Sequence, residues 1–167
     1  MERSVQQHTH PQAPALVVAD WTIDPESVVT AIAAQLDGAS PVRLLVPAWL
    51  HGLDWAGDPW ASVPCARRQL DRLTGLCGSA GLPVASADVG DPDPVSAICD
   101  AVAAGPVDRI LLFSRGRHVS SAHPFGVARR TERLTGVPVQ GFSAPRAPHP
   151  SRREALAGGH CQSPQPA

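Results

Sequence analysis

The sequence predicts a single α/β domain, a three-layer α/β/α sandwich built on a five-stranded, parallel, doubly wound sheet. Five short runs rich in branched apolar residues alternate with four longer runs of helical periodicity, the pattern left by parallel strands joined through crossover helices. The first, second and fourth short runs are almost continuously apolar, as strands covered on both faces are. Length agrees, because 167 residues hold one sizeable core and not two.

The expected strands are 15–20, 42–47, 83–89, 109–114 and 137–142. The first helix opens at Asp24-Pro25-Glu26, which supplies an N-cap, a first-turn proline and an acidic residue near the positive end of the helix dipole. Val28, Ile32 and Leu36 then recur every four residues until Gly38. The second helix, about 64–79, buries Leu70, Leu73 and Cys77 and turns Arg67, Arg68, Asp71 and Arg72 to water before Gly81. Asp91-Pro92-Asp93-Pro94 opens the third, where either Asp can cap and either Pro can start the turn; Val95, Ile98 and Val102 carry it to Gly105. The fourth starts near Pro124, runs through Val127 and Leu134 with Arg129, Arg130 and Arg133 outward, and stops at Gly136. The order is βαβαβαβαβ.

Outside these elements, residues 1–13 and 143–167 are crowded with Pro, Ser, His, Gln and Arg and carry no apolar period, so both are expected as disordered tails flanking a domain at 14–142. The net charge is -1 and the chain contains no Lys, which argues against a broad cationic face for nucleic acid or an anionic membrane. No apolar run approaches the roughly 18 residues of a membrane span, and none follows Arg3 as in a signal peptide, so the expected location is cytoplasmic. Cys65, Cys77, Cys99 and Cys161 are too far apart for a C-x-x-C metal or redox pair; no metal site is expected, and the thiols read as small apolar fillers in a reducing compartment.

Doubly wound sheets bind ligands beyond the carboxyl ends of their strands, where the winding reverses. After the fourth strand stands Ser114-Arg115-Gly116-Arg117, and nine residues separate Gly116 from Gly126. This resembles the ATP-binding pattern G-2x-G-9x-G-[ST] of the universal stress proteins. Asp20 at the end of the first strand, Gly90-Asp91-Pro92 before the third helix and Val137-Pro138-Val139 in the last strand resemble the same family, over about residues 15–142. The resemblance implies a stress-response module that binds ATP or AMP and forms a homodimer through its last strand. It implies Asp20 near the base, Val46 and Pro47 beside the ribose, and Ser114, Gly116, Arg117, Gly126 and Val127 around the phosphates. The cradle has a physical basis: glycines admit phosphates close to the backbone, and amides at a helix start attract anions. Two of its parts are replaced, since Phe113 stands at the first Gly position and Val127 at the Ser/Thr position. Trp21, directly after Asp20, is expected to plug part of the adenine pocket.

Other readings stay open. Gly116 and Gly126 also suit a turn and a close helix packing. The connection 47–64 holds Trp49, His51, Asp54, Trp55, Asp58 and Trp60, either as a lid or partner surface or as rings capping the sheet's end. Ser114, His118 and Asp20 make a nucleophile arrangement on paper, with His123 nearby, but no G-x-S-x-G elbow presents the serine, so no catalytic residue is assigned. The functional expectation is therefore a binding module with a modified nucleotide site; the alternatives are a homodimeric scaffold with no nucleotide and, behind it, a hydrolase in the same crevice.

Overall fold

The computed structural model describes residues 13–36, 40–50, 58, 60–115 and 126–147. The strands are β1 (Ala15–Ala19), β2 (Val42–Pro47), β3 (Val84–Gly90), β4 (Ile110–Ser114) and β5 (Val139–Ser143); the helices are α1 (Pro25–Gln35), α2 (Val63–Ser79), α3 (Pro94–Ala103) and α4 (Val127–Thr135). The five strands form one parallel sheet in the order β3-β2-β1-β4-β5. The chain winds outward from β1 through β2 to β3, then returns to the other side of β1 for β4 and β5. The reversal lies between β1 and β4.

Alternation along the strands divides the core in two. Val17 and Ala19 of β1, Val42, Leu44 and Val46 of β2, and Leu111 and Phe113 of β4 pack against Val28 and Ile32 of α1 and Leu70, Leu73 and Cys77 of α2. Leu16, Val18, Leu45, Ile110 and Leu112 pack on the other face against Ala97 and Ile98 of α3 and Ala128 of α4. Burial on both faces explains why β1, β2 and β4 read as continuous apolar runs. The edge strands β3 and β5 have largely part-exposed residues and read less cleanly.

The helix starts follow their local chemistry. Asp24 caps α1 and Asp93 caps α3, each followed by a first-turn Pro. Asp91 is not idle: its Oδ1 accepts from the Asp93 backbone N–H at 2.8 Å, so the two acids divide the turn and the cap. α4 ends at Gly136, whose φ of 71° is the left-handed conformation that a Cβ disfavours.

Four differences have physical causes. Leu134, read as part of the α4 stripe, is 65% exposed, and small residues, Ala128 and Thr131, face the sheet instead. Val137 and Pro138 precede β5 rather than joining it, because Pro has no N–H to give and the Val137 N–H donates to the Thr135 hydroxyl. Cys65 is disulfide-bonded and not a free filler thiol, whereas Cys77 and Cys99 are free; Cys161 lies outside the described residues. The ordered chain also passes the boundary expected at residue 142. β5 reaches Ser143, and the backbone of residues 144–147 is hydrogen-bonded to the sheet's end, as detailed below. Among the described residues, no helix is long and apolar enough to cross a membrane.

Candidate functional site

The carboxyl ends of β1 and β4 adjoin, with Ala19 in register with Phe113, and the Asp20 N–H donates to the Phe113 carbonyl at 3.0 Å. Asp20 is therefore placed at the winding reversal, and the residue is only 2% exposed. Its Oδ1 accepts from both the backbone N–H and the hydroxyl of Thr22, each at 2.9 Å. That is an Asx-type turn, in which the carboxylate folds the chain back toward Ile23. Thr22, itself buried, was not singled out from sequence; an Asp two residues before a Thr is its signal.

Trp21 follows this turn and is 9% exposed, within the same buried cluster as Phe113 and Ala144. Its Nε1 donates to the Trp49 carbonyl at 2.7 Å, which fastens the turn after β1 to the segment after β2. Gln69 of α2, a buried polar residue, donates from Nε2 to the Ile23 carbonyl at 2.8 Å. Phe113 is 1% exposed, and its ring stacks on Phe142 of β5 with centroids 4.7 Å apart and planes 14° from parallel. Aromatic rings in that arrangement favour each other beyond the area they bury.

Residues 144–147 then cross this region. The Ala144 N–H donates to the Ser114 carbonyl at 3.1 Å, the Asp24 N–H to the Pro145 carbonyl at 2.9 Å, and the Ala147 N–H to the Thr22 carbonyl at 3.0 Å. Ile23 and Arg146 make an antiparallel bridge. The chain after β5 thus spans the end of β4 to reach the turn after β1.

Of the residues expected around a nucleotide, Asp20 directly follows β1 and Ser114 ends the adjacent β4, and both are buried. Val46 and Pro47 end β2 on the far side of β1, and the Val46 side chain is fully buried against α1 and α2. Gly126 is the N-cap of α4 and makes no side-chain capping bond; Val127 begins the helix, partly buried against the other core. Gly116 and Arg117 lie outside the described residues, as do His118 and His123. Of the Trp-bearing connection, Trp49 packs on the core and Trp60 is 55% exposed, while His51, Asp54 and Trp55 lie outside the described residues.

Among the described residues no three His, Cys, Asp or Glu side chains gather as a metal ion would require. Neither a family model nor a curated protein matches the chain's sequence.

Proposed function

We propose that this chain is an association module of the universal stress protein type, in which the base side of the switch-point crevice is closed by the protein's own side chains. The observation that carries this reading is the packing of Trp21, Phe113 and Ala144 in one buried cluster, with Phe142 stacked on Phe113. An adenine ring needs an open slot of its own thickness beside β1. On this reading two strand-end rings and the turn built on Asp20 stand in that volume; the stack of Phe113 on Phe142 and the burial of Asp20 support it.

Function then falls to the surfaces, and β5 supplies one. Its ladder to β4 uses Pro138 and Ala144 at its two ends, so by the parallel pattern Gly141 and Ser143 turn their backbone groups outward from the sheet. An edge of this kind pairs with another strand, and a second copy of the chain is the partner the family resemblance implies. One observation favours a second reading, ATP or AMP held from the phosphate side: Gly126 starts α4 without a side-chain cap, the form a helix takes where its first amides serve an anion.

Calorimetric titration of the full chain with ATP, AMP and cyclic AMP separates the two, with sedimentation run on the same sample. The association reading expects a mass of two chains and no saturable heat from any nucleotide. Saturable binding that is lost in Gly126→Trp would replace it with the nucleotide reading.

A further inference from the structure

Residues 144–147 cover the place where an open α/β sheet would receive a ligand, and two features set them apart from the core they lie on. Their hold is slight. Three backbone hydrogen bonds and one buried methyl, that of Ala144, attach them, while Pro145 is exposed and Arg146 and Ala147 are partly so. β1 and β4, by contrast, are buried along their whole length between two layers of helix.

The second feature is a cost carried by the closed state. Arg146 stands opposite the fully buried Ile23, and its Nη2 is buried with no hydrogen-bond partner. A guanidinium N–H withdrawn from water and left unpaired opposes the arrangement that buries it. Lifting the segment would return that group to solvent. Arg115, next after β4, also has a buried Nε without a partner, so a second unsatisfied donor stands at the end of β4.

We propose that residues 144–147 are a releasable strap, an internal cover whose departure exposes the Trp21, Phe113 and Phe142 surface to an aromatic ligand bearing an anionic group. The aromatic part would replace the covering chain over the rings, and the anionic part would meet the Arg115 donor. This rests on the closed-crevice reading and adds that the closure is reversible.

The test uses the full chain and three substitutions, with amide hydrogen exchange and the fluorescent probe anilinonaphthalene sulfonate as readouts. Ala147→Pro removes the N–H given to Thr22, and Ala144→Arg forces a long cationic side chain into the buried space that the Ala144 methyl fills. In each, the Asp24 amide is expected to exchange about tenfold faster, the equivalent of one net hydrogen bond. The amides of Val17 and Leu73 should keep their parent rates, and the probe should bind saturably where the parent binds none. Arg146→Met has the opposite expected sign: with the orphan donor gone, the Asp24 amide exchanges more slowly than in the parent. If Asp24 and Val17 exchange at one common rate in every variant, the segment opens only with the whole fold and the strap is overturned. Opening without probe binding overturns it too. Saturable ATP binding by the parent that leaves the Asp24 amide at its unliganded exchange rate would instead defeat the closed crevice, because the nucleotide then enters without lifting the strap.

Discussion

Asp24 and Asp93 repeat one local device, Asp-Pro-x-Ser, at the starts of α1 and α3. At the first, Asp24 Oδ2 accepts from the Ser27 N–H at 3.0 Å and the Ser27 hydroxyl at 2.6 Å; at the second, Asp93 Oδ2 accepts from the Ser96 hydroxyl at 2.9 Å and its N–H at 3.4 Å. The hydroxyl bond from Ser27 is the main reason the Asp24 carboxyl titrates below its ordinary range, against a smaller opposing effect of burial. A carboxyl with a lowered folded pKa stabilises the fold above its unfolded pKa of about 3.9 and loses that contribution as pH falls through the folded value. Asp24→Asn should therefore narrow its stability gap to the parent as denaturant unfolding is repeated from pH 6 down to pH 2. Asp24→Ala should cost roughly 0.5–2 kcal/mol at neutral pH by the same measurement. The two free thiols differ as well. Burial pushes the Cys77 thiol up from its ordinary pKa, so under native conditions at pH 8 a disulfide reagent should label the half-buried Cys99 well before Cys77. These caps were legible in the sequence because every participant lies within four residues of the others. The Cys65 disulfide was not, since spacing alone carries no record of which sulfurs meet.

α3 is held to the sheet by two contacts from strands distant in sequence. Arg43 of β2 donates from Nη2 to the Ala101 carbonyl at 2.8 Å and from Nη1 to the Gly105 carbonyl at 3.2 Å, placing a cation at the helix's negative end, which has no basic residue of its own. Arg43→Met leaves those carbonyls without the guanidinium and should lower stability by about 1–3 kcal/mol in denaturant titration. At the end of β3, a Cβ on Gly90 would fall 2.6 Å from the Ala97 Cβ and 3.0 Å from Leu45 Cδ1. Gly90 is therefore required by the close approach of α3. Gly90→Ala should push the helix away at a cost of roughly 1–3 kcal/mol, read as a lowered melting temperature. The four helices and all five strands could be read in advance, the three inner strands most plainly, because periodicity and capping announce them. Residues 144–147 could not. Their order comes from backbone hydrogen bonds to Ser114, Thr22 and Asp24, and a backbone amide gives the sequence no mark, so Ala-Pro-Arg-Ala reads as tail.

Taken together, the strands and crossovers make a sheet whose winding reverses between β1 and β4, and on the proposed reading the chain closes that reversal with its own parts. The position of the crevice was legible from the order of elements alone, and so was the threat that Trp21 and Phe113 pose to it. The seal was less legible, because it needs Phe142 from β5 to stack on Phe113 and the chain after β5 to turn back across the gap. Those contacts join residues about thirty and more than a hundred positions apart, and no local pattern encodes such pairings. The most direct test is a backbone and indole amide NMR spectrum of the full chain, recorded with and without excess ATP. A closed crevice predicts that the Asp20, Ser114 and Ala144 amides and the Trp21 indole N–H keep their positions. Saturable movement of those four signals would show an adenine nucleotide entering where this account has the protein's own side chains.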